Sequence, residues 1–263
     1  MAMSPRKRAQ ISRWVQYAVL IVVLLTIVLV ADWGKVRDQF FNPDLVSEQF
    51  PEVITVALKN TVLYTLGAFV FGLVLGLVLA LMRLSPVGPY RWLATVFIEF
   101  FRGVPAIIVF IGFGYGLPIA FGRTMPGGTF GTVTVALGLV GAAYMAETIR
   151  AGIQAVPKGQ LEAARSLGMS SSRAMISIVV PQAFRIILPP LTNELILLTK
   201  DSSLVYVLGL AASEYELTKF GREGLNDSAN LTPLFVAALC YLIVTIPLSI
   251  VVRRMEARSE RAR

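Results

Sequence analysis

Six apolar stretches constrain this chain more than any motif in it. They run from Val15 to Ala31, about Ile54 to Met82, Trp92 to about Phe121, about Gly131 to Gly152, about Ile186 to Ala212, and about Leu231 to Val252. A helix needs roughly 20 mostly apolar residues to cross a hydrocarbon core about 30 Å thick. The expected fold is therefore all-α: a polytopic integral membrane protein of about six transmembrane helices. Composition agrees, with 56% hydrophobic residues, 15% charged residues and a mean hydropathy of +0.70. A soluble domain carries about 25% charged residues. The formal charge of +8 is then no sign of nucleic-acid binding. In a membrane protein, basic excess marks cytoplasmic loops. The chain has no histidine, and its one cysteine, Cys240, falls inside the last stretch. An intrachain disulfide, a cysteine–histidine zinc site and a histidine-based catalytic triad are excluded within it.

The first stretch follows Arg6, Lys7, Arg8 and Arg13 and resembles a secretory signal at first sight. It exceeds the usual apolar core of about 7–15 residues, and no small-x-small cleavage site precedes Asp32. Trp14 and Trp33 bracket it, about 28 Å apart on a helix, as interfacial anchors would. A retained first span is expected. The segment from Asp32 to Glu52 is acidic and suits the outer side. In the second span, Gly72 and Gly76 set a small-xxx-small face that lets another helix approach, and we read it as packing. The third is interrupted at Arg102-Gly103-Val104-Pro105, which predicts an approach helix, a break, and then the true span to Leu117-Pro118. Glu99 and Arg102, three apart, are expected to neutralise each other. Arg123 to Phe130 and Ser213 to Asn230 read as outer loops. Sixteen Lys and Arg then fall on the inner side and five on the outer side, which puts both termini in the cytoplasm.

Between the fourth and fifth spans lies Gly159 to Pro181, a run without the signature of a span. Leu161, Ala164 and Leu167 recur at helical spacing and predict one apolar face. Glu162 and Arg165 lie off that face, where they can pair. Gly168 can take a left-handed angle and end the helix, and Ser170 or Ser171 can cap a second one. Two short helices meeting at a corner outside the bilayer, with one wet face, have the shape of a docking element for a soluble partner.

The spacing here carries a resemblance. Glu162-Ala163-Ala164, three residues, Gly168, nine residues, Ile178, one residue and Val180-Pro181 resemble the EAA loop of ABC-importer permeases. Val180 stands where the family pattern has leucine. Ala142-Ala143-Tyr144, Glu147, Arg150, Gly159-Gln160 and Lys200-Asp201-Ser202-Ser203-Leu204 look like the branch that imports polar amino acids of the glutamate, glutamine, arginine and histidine class. The resemblance covers about residues 54 to 253, leaving 1–53 as an N-terminus with an extra span and outer loop, and 254–263 as a basic tail. It implies a five-helix type I importer core in a bacterial plasma (inner) membrane. It implies ABC ATPase subunits, a second permease subunit, identical or paralogous, and an extracytoplasmic substrate-binding protein as partners. It also implies ATPase coupling through Gly159, Glu162, Ala163, Ala164, Gly168, Ile178 and Pro181.

No G-x-x-x-x-G-K-[ST] phosphate loop occurs in the sequence. No cofactor is expected on this chain, and ATP is expected to be used by a partner ATPase. Ionisable residues within spans are costly enough to suggest function. Glu147 and Arg150 lie one helical turn apart near the inner end of the fourth span, and Lys200 and Asp201 near the middle of the fifth, preceded by Asn193 and Glu194. A path for a zwitterionic solute needs both charge signs and hydroxyls. Lys200, Asp201, Ser202 and Ser203 supply them, so these four with Glu147 and Arg150 are the candidates for a path or gate. Glu147–Arg150 also reads as a structural pair at the interface. An ion-coupled secondary amino acid transporter is the alternative; it would usually show internally repeated halves with matching broken helices, which this sequence lacks. A membrane-embedded enzyme would need a nucleophile, metal cluster or clustered acid–base pair, and none is evident.

Overall fold

A backbone amide crossing hydrocarbon finds no water, so each apolar run closes its hydrogen bonds on itself as helix. The computed structural model describes residues 5–261, with side chains from Gln10 to Arg258. The side chains of Arg6, Lys7, Arg8, Arg261 and Arg263, counted above for topology, lie outside the described residues. Helix α1 is Pro5–Val30; α2, Trp33–Phe40, and α3, Pro43–Glu48, are short; a π-turn at Val53–Leu58 leads into α4, Lys59–Leu84. Helices α5, Gly88–Gly103, α6, Ala106–Ile111, and α7, Leu117–Phe121, follow, and then α8, Gly128–Gln154. Next come α9, Lys158–Ser166, α10, Ser171–Ala174, α11, Val180–Asp201, α12, Leu217–Ser228, and α13, Thr232–Arg261. Among the described residues, five helices are long and apolar enough to cross a membrane, or six if α5 with α6–α7 is one broken span.

The packing centre is the pair α4–α8. A Cβ on Gly72 would stand 3.0 Å from the Gly138 carbonyl oxygen, and one on Gly76 3.0 Å from that of Ala142. The two backbones touch because small residues face small residues, as the sequence pattern predicts. Ile98, Phe110, Leu137 and Met145 are fully buried around this contact. Leu66, Val70, Val74, Leu77 and Leu81, on the other side of α4, are exposed and form a lipid-facing stripe. Helix α1 differs from the other spans, because no residue in its apolar window is buried against the rest of the chain.

The third span breaks where expected. Val104 and Pro105 are extended (ψ 131° at both), because proline has no N–H and disfavours helical angles in its predecessor. The helical segments on either side diverge by 103°.

Several expectations are corrected. The fifth span is not Ile186–Ala212: helix runs from Ser171, passes through Pro189 and Pro190, and tightens to 3-10 geometry at Ser202–Val207. Ser202 Oγ bonds back to the Thr199 carbonyl at 2.7 Å there. Lys200 and Asp201 therefore sit at the end of α11 and not at its middle. The loop from Ser213 to Asn230 contains α12, whose Leu217 and Gly221 are buried between polar residues that hid its period. The segment from Asp32 to Glu52 holds α2 and α3, capped by Asp32 and Asn42. It is tied to the start of α13 by Asn42 N–H to Thr232 Oγ1 (3.1 Å) and Asn230 Nδ2 to the Asp38 carbonyl (2.8 Å). Glu99 does not pair with Arg102; it lies 3.9 Å from Arg83 on α4.

Candidate functional site

The corner between α8 and α11 is built as its residues dictate. Helix α9 ends at Ser166 with Leu167 as its C-cap, and Gly168 follows at φ +87°. Gly168 N–H reaches the Arg165 carbonyl at 3.0 Å, and Met169 N–H reaches that of Ala164 at 3.2 Å. These two bonds make a Schellman ending, which needs a residue at ease in the left-handed region. Ser170, not Ser171, caps α10, accepting from Arg173 N–H at 3.4 Å. A π-turn over Met175–Val179, which includes Ile178, then brings the chain to Pro181 at the start of α11.

Ala164 is buried and Leu161 packs against the core, while Gly159, Glu162 and Ala163 face outward. Leu167 does not join the apolar face: it is 86% exposed, projected outward where the chain turns. Ile176 is exposed as well. Glu162 and Arg165 form no ion pair, since both extend into solvent. The corner thus presents a carboxylate, an arginine and two bare apolar side chains to whatever lies beyond it.

At the break of the third span lies a cavity of about 430 Å³. Arg102, Val104, Pro105, Tyr144, Glu194 and Asp201 line it, with Leu197 and Leu198. The Arg102 guanidinium carbon stands 5.6 Å from the Tyr144 ring centre, a cation–π distance. Glu194 and Asp201 are seven residues apart, two helical turns, and so project from one face of α11. The cavity therefore holds both charge signs, one aromatic ring and an apolar wall, with walls supplied by the broken span, α8 and α11.

Of the six residues singled out for a path or gate, only Asp201 lines this cavity. Lys200 lies about 100° around the helix and is exposed. Ser202 is buried in its bond to Thr199, and Ser203 is half-buried. Glu147 is held by two arginines: Arg83 Nη1 donates to it at 2.7 Å and Arg150 Nη2 at 2.6 Å. Arg150 also donates to Gln154 at 2.7 Å. That cluster clamps α4 to α8, which is the structural reading of Glu147 and Arg150. Arg102 and Tyr144 as cavity residues were missed by sequence reasoning. The seven-residue spacing of Glu194 and Asp201 was the signal that could have found the first carboxylate.

A broken spanning helix opens a charged cavity, and α11 joins that cavity to a wet corner outside the spans. Together they define the class of this protein: a membrane transport permease. The chain belongs to the family of binding-protein-dependent transport system inner membrane components, which it matches over residues 72–261. It is 42% identical over 206 residues to the probable glutamine ABC transporter permease GlnM of Bacillus subtilis, covering 77% of this chain and 91% of that one. It is 36% identical over 207 residues to the arginine transport system permease ArtQ of the same organism, covering 79% and 90%. A crystal structure of an amino acid ABC transporter with histidines superposes with a TM-score of 0.72 at 36% identity, over 81% of this chain and 96% of that one. The ABC importer permease is thereby favoured over the secondary transporter.

Proposed function

We propose that this chain forms the translocation path of an ATP-driven importer for polar amino acids, and that the Gly159–Pro181 corner docks a separate ATPase. One observation carries the reading. The helix that leaves the corner at Ser171 continues without a break to Asp201 at the cavity, a rod of about 45 Å. Movement imposed on the corner is transmitted along it to Glu194 and Asp201. The exposed Leu167 and Ile176 supply apolar contact for the ATPase, and Glu162 and Arg165 supply polar contact. In the cavity, Arg102 matches the carboxylate of an amino acid, and Glu194 with Asp201 match its ammonium. The relatives that carry glutamine or arginine in their names support this substrate class. The excess of basic residues on the inner loops supports cytoplasmic termini. A second permease subunit and an extracytoplasmic binding protein complete the assembly, and nucleotide hydrolysis resides on the ATPase.

The test is purification of the intact complex, identification of its subunits, and measurement of ATPase stimulation by individual amino acids in proteoliposomes. An ATPase subunit should co-purify and be stimulated by a polar amino acid. A chain that takes up solute without any ATPase overturns the reading.

A further inference from the structure

Between the cavity and the corner, the charges on α4, α5 and α8 form a balanced set from which Arg102 is left out. Arg83 Nη1 donates to Glu147 Oε1 at 2.7 Å and lies 3.9 Å from Glu99 Oε1. Arg150 donates to Glu147 Oε2 from Nη2 at 2.6 Å and from Nε at 3.2 Å. Two arginines thus answer two carboxylates. Arg102 joins neither pair, although both carboxylates are its neighbours. Glu99 precedes it by three residues on α5, the spacing at which helical side chains meet. Glu147 stands about one turn along α8 from Tyr144, whose ring carries the Arg102 guanidinium. The Arg102 charge is felt at Glu147. Among the described residues Arg102 forms no ion pair.

A half-buried carboxylate stripped of its partner draws the nearest cation, because little water is there to replace the lost charge. We propose that Arg83 and Arg150 are positioning residues for solute binding: by filling Glu99 and Glu147 they leave Arg102 on Tyr144, at the cavity wall, to take a carboxylate from the solute. The clamp between α4 and α8 then has a second task, which is to sort charge. It also explains why Glu99 and Arg102 stay apart despite their spacing. The proposal rests on the reading of the cavity as the solute path.

The experiment uses the intact permease–ATPase complex without binding protein, so that solute binding reports the cavity alone. Tritiated glutamine and tritiated arginine are the probes. Their α-amides, which keep the ammonium and lack the carboxylate, are the competitors. The parent should hold a free acid about tenfold more tightly than its amide, as one hydrogen bond between charged groups would give. Arg102→Gln should erase that preference. Arg150→Gln opens Glu147 Oε2 to Arg102 and should erase it too, whereas Arg150→Lys should keep it. The double variant Arg150→Gln, Glu147→Gln removes the trap and should restore the preference, although the clamp is then broken further. If Arg150→Gln assembles poorly, Arg83→Gln alone and with Glu99→Gln repeats the comparison, with the exposed Glu99 as the trap. A preference that Arg102→Gln abolishes and the other arginine variants leave intact overturns the proposal. So does a double variant no better than the single one, which would make the cluster a clamp and nothing more. A parent without the preference, or a preference that survives Arg102→Gln, fails the cavity reading itself and takes the proposal with it, so the two failures are distinct.

Discussion

Gly168 holds φ at +87° with no heavy atom within 4 Å of where a Cβ would stand, so its need is conformational and not spatial. Valine there carries a strain of roughly 1–3 kcal/mol, whereas asparagine tolerates the left-handed region. Gly168→Val should lower uptake per assembled complex while Gly168→Asn keeps most of it; equal uptake in both would remove the corner from coupling. At the cavity, on the proposed reading, Asp201→Asn and Glu194→Gln would each remove one charged contact to the ammonium of the solute. A hydrogen bond to a charged group contributes about 1.5–3 kcal/mol, so transport efficiency should fall roughly ten- to hundredfold, with assembly retained. Lys200→Met, outside the cavity, should transport near the normal level. Loss of uptake in Lys200→Met together with normal Asp201→Asn would reverse the assignment. The sequence pointed to Asp201 because a charge in an apolar run stands out. It could not separate Asp201 from Lys200, since only packing decides which side of a helix meets a cavity.

At the scale of elements, α4 and α8 meet through glycine backbones. Gly76→Leu forces the helices apart against Ala142 and Met145; overpacking of this kind costs about 1–3 kcal/mol. The variant should lower the thermal midpoint of the detergent-purified protein, while Val74→Leu on the lipid face leaves it unchanged. Helix α1 is the opposite case. With no residue of its apolar window buried against the chain, its removal opens no core, and a protein lacking residues 1–33 should transport normally per assembled complex. Complete loss of uptake with insertion intact would show that α1 has a partner in the assembly. The long helices were legible because hydrocarbon leaves an apolar run few alternatives. Helices α2, α3 and α12 were not: they are short and polar outside, α2 and α3 are fixed by contacts with the distant α13, and α12 folds back on the α13 that follows it and on the start of α4.

At the scale of the whole molecule, α4, α12 and α13 meet around one buried carboxylate. Glu216 has no exposed surface. It accepts from Thr218 N–H (2.6 Å) and Lys219 N–H (2.7 Å) at the start of α12, and from Tyr241 Oη (2.9 Å) on α13. The neighbouring Leu217 N–H donates to Thr61 Oγ1 on α4 at 3.1 Å. Burial pushes the Glu216 carboxyl up to about 7, against the opposing pull of those donors. The folded protein therefore holds this proton more tightly than the unfolded chain, where the pKa is near 4.5. Its contribution to stability is greatest below about pH 4.5, falls as pH rises toward 7, and is level above that. Thermal unfolding across this range should show that slope, and Glu216→Gln should flatten it; an unchanged slope assigns the effect to another group. Nothing in the sequence around Glu216 distinguishes it from the half-buried Glu214 or Glu223. By itself the sequence determined the helical membrane fold, the break at Val104-Pro105 and the turn at Gly168, because each follows from local chemistry: apolar length, a missing N–H, a missing Cβ. Only the tertiary structure decided that Arg102, Tyr144, Glu194 and Asp201 share one cavity, that Glu147 is a clamp between helices, and that Leu167 points outward. Those facts depend on which faces of separate helices meet, and packing between distant segments sets that geometry.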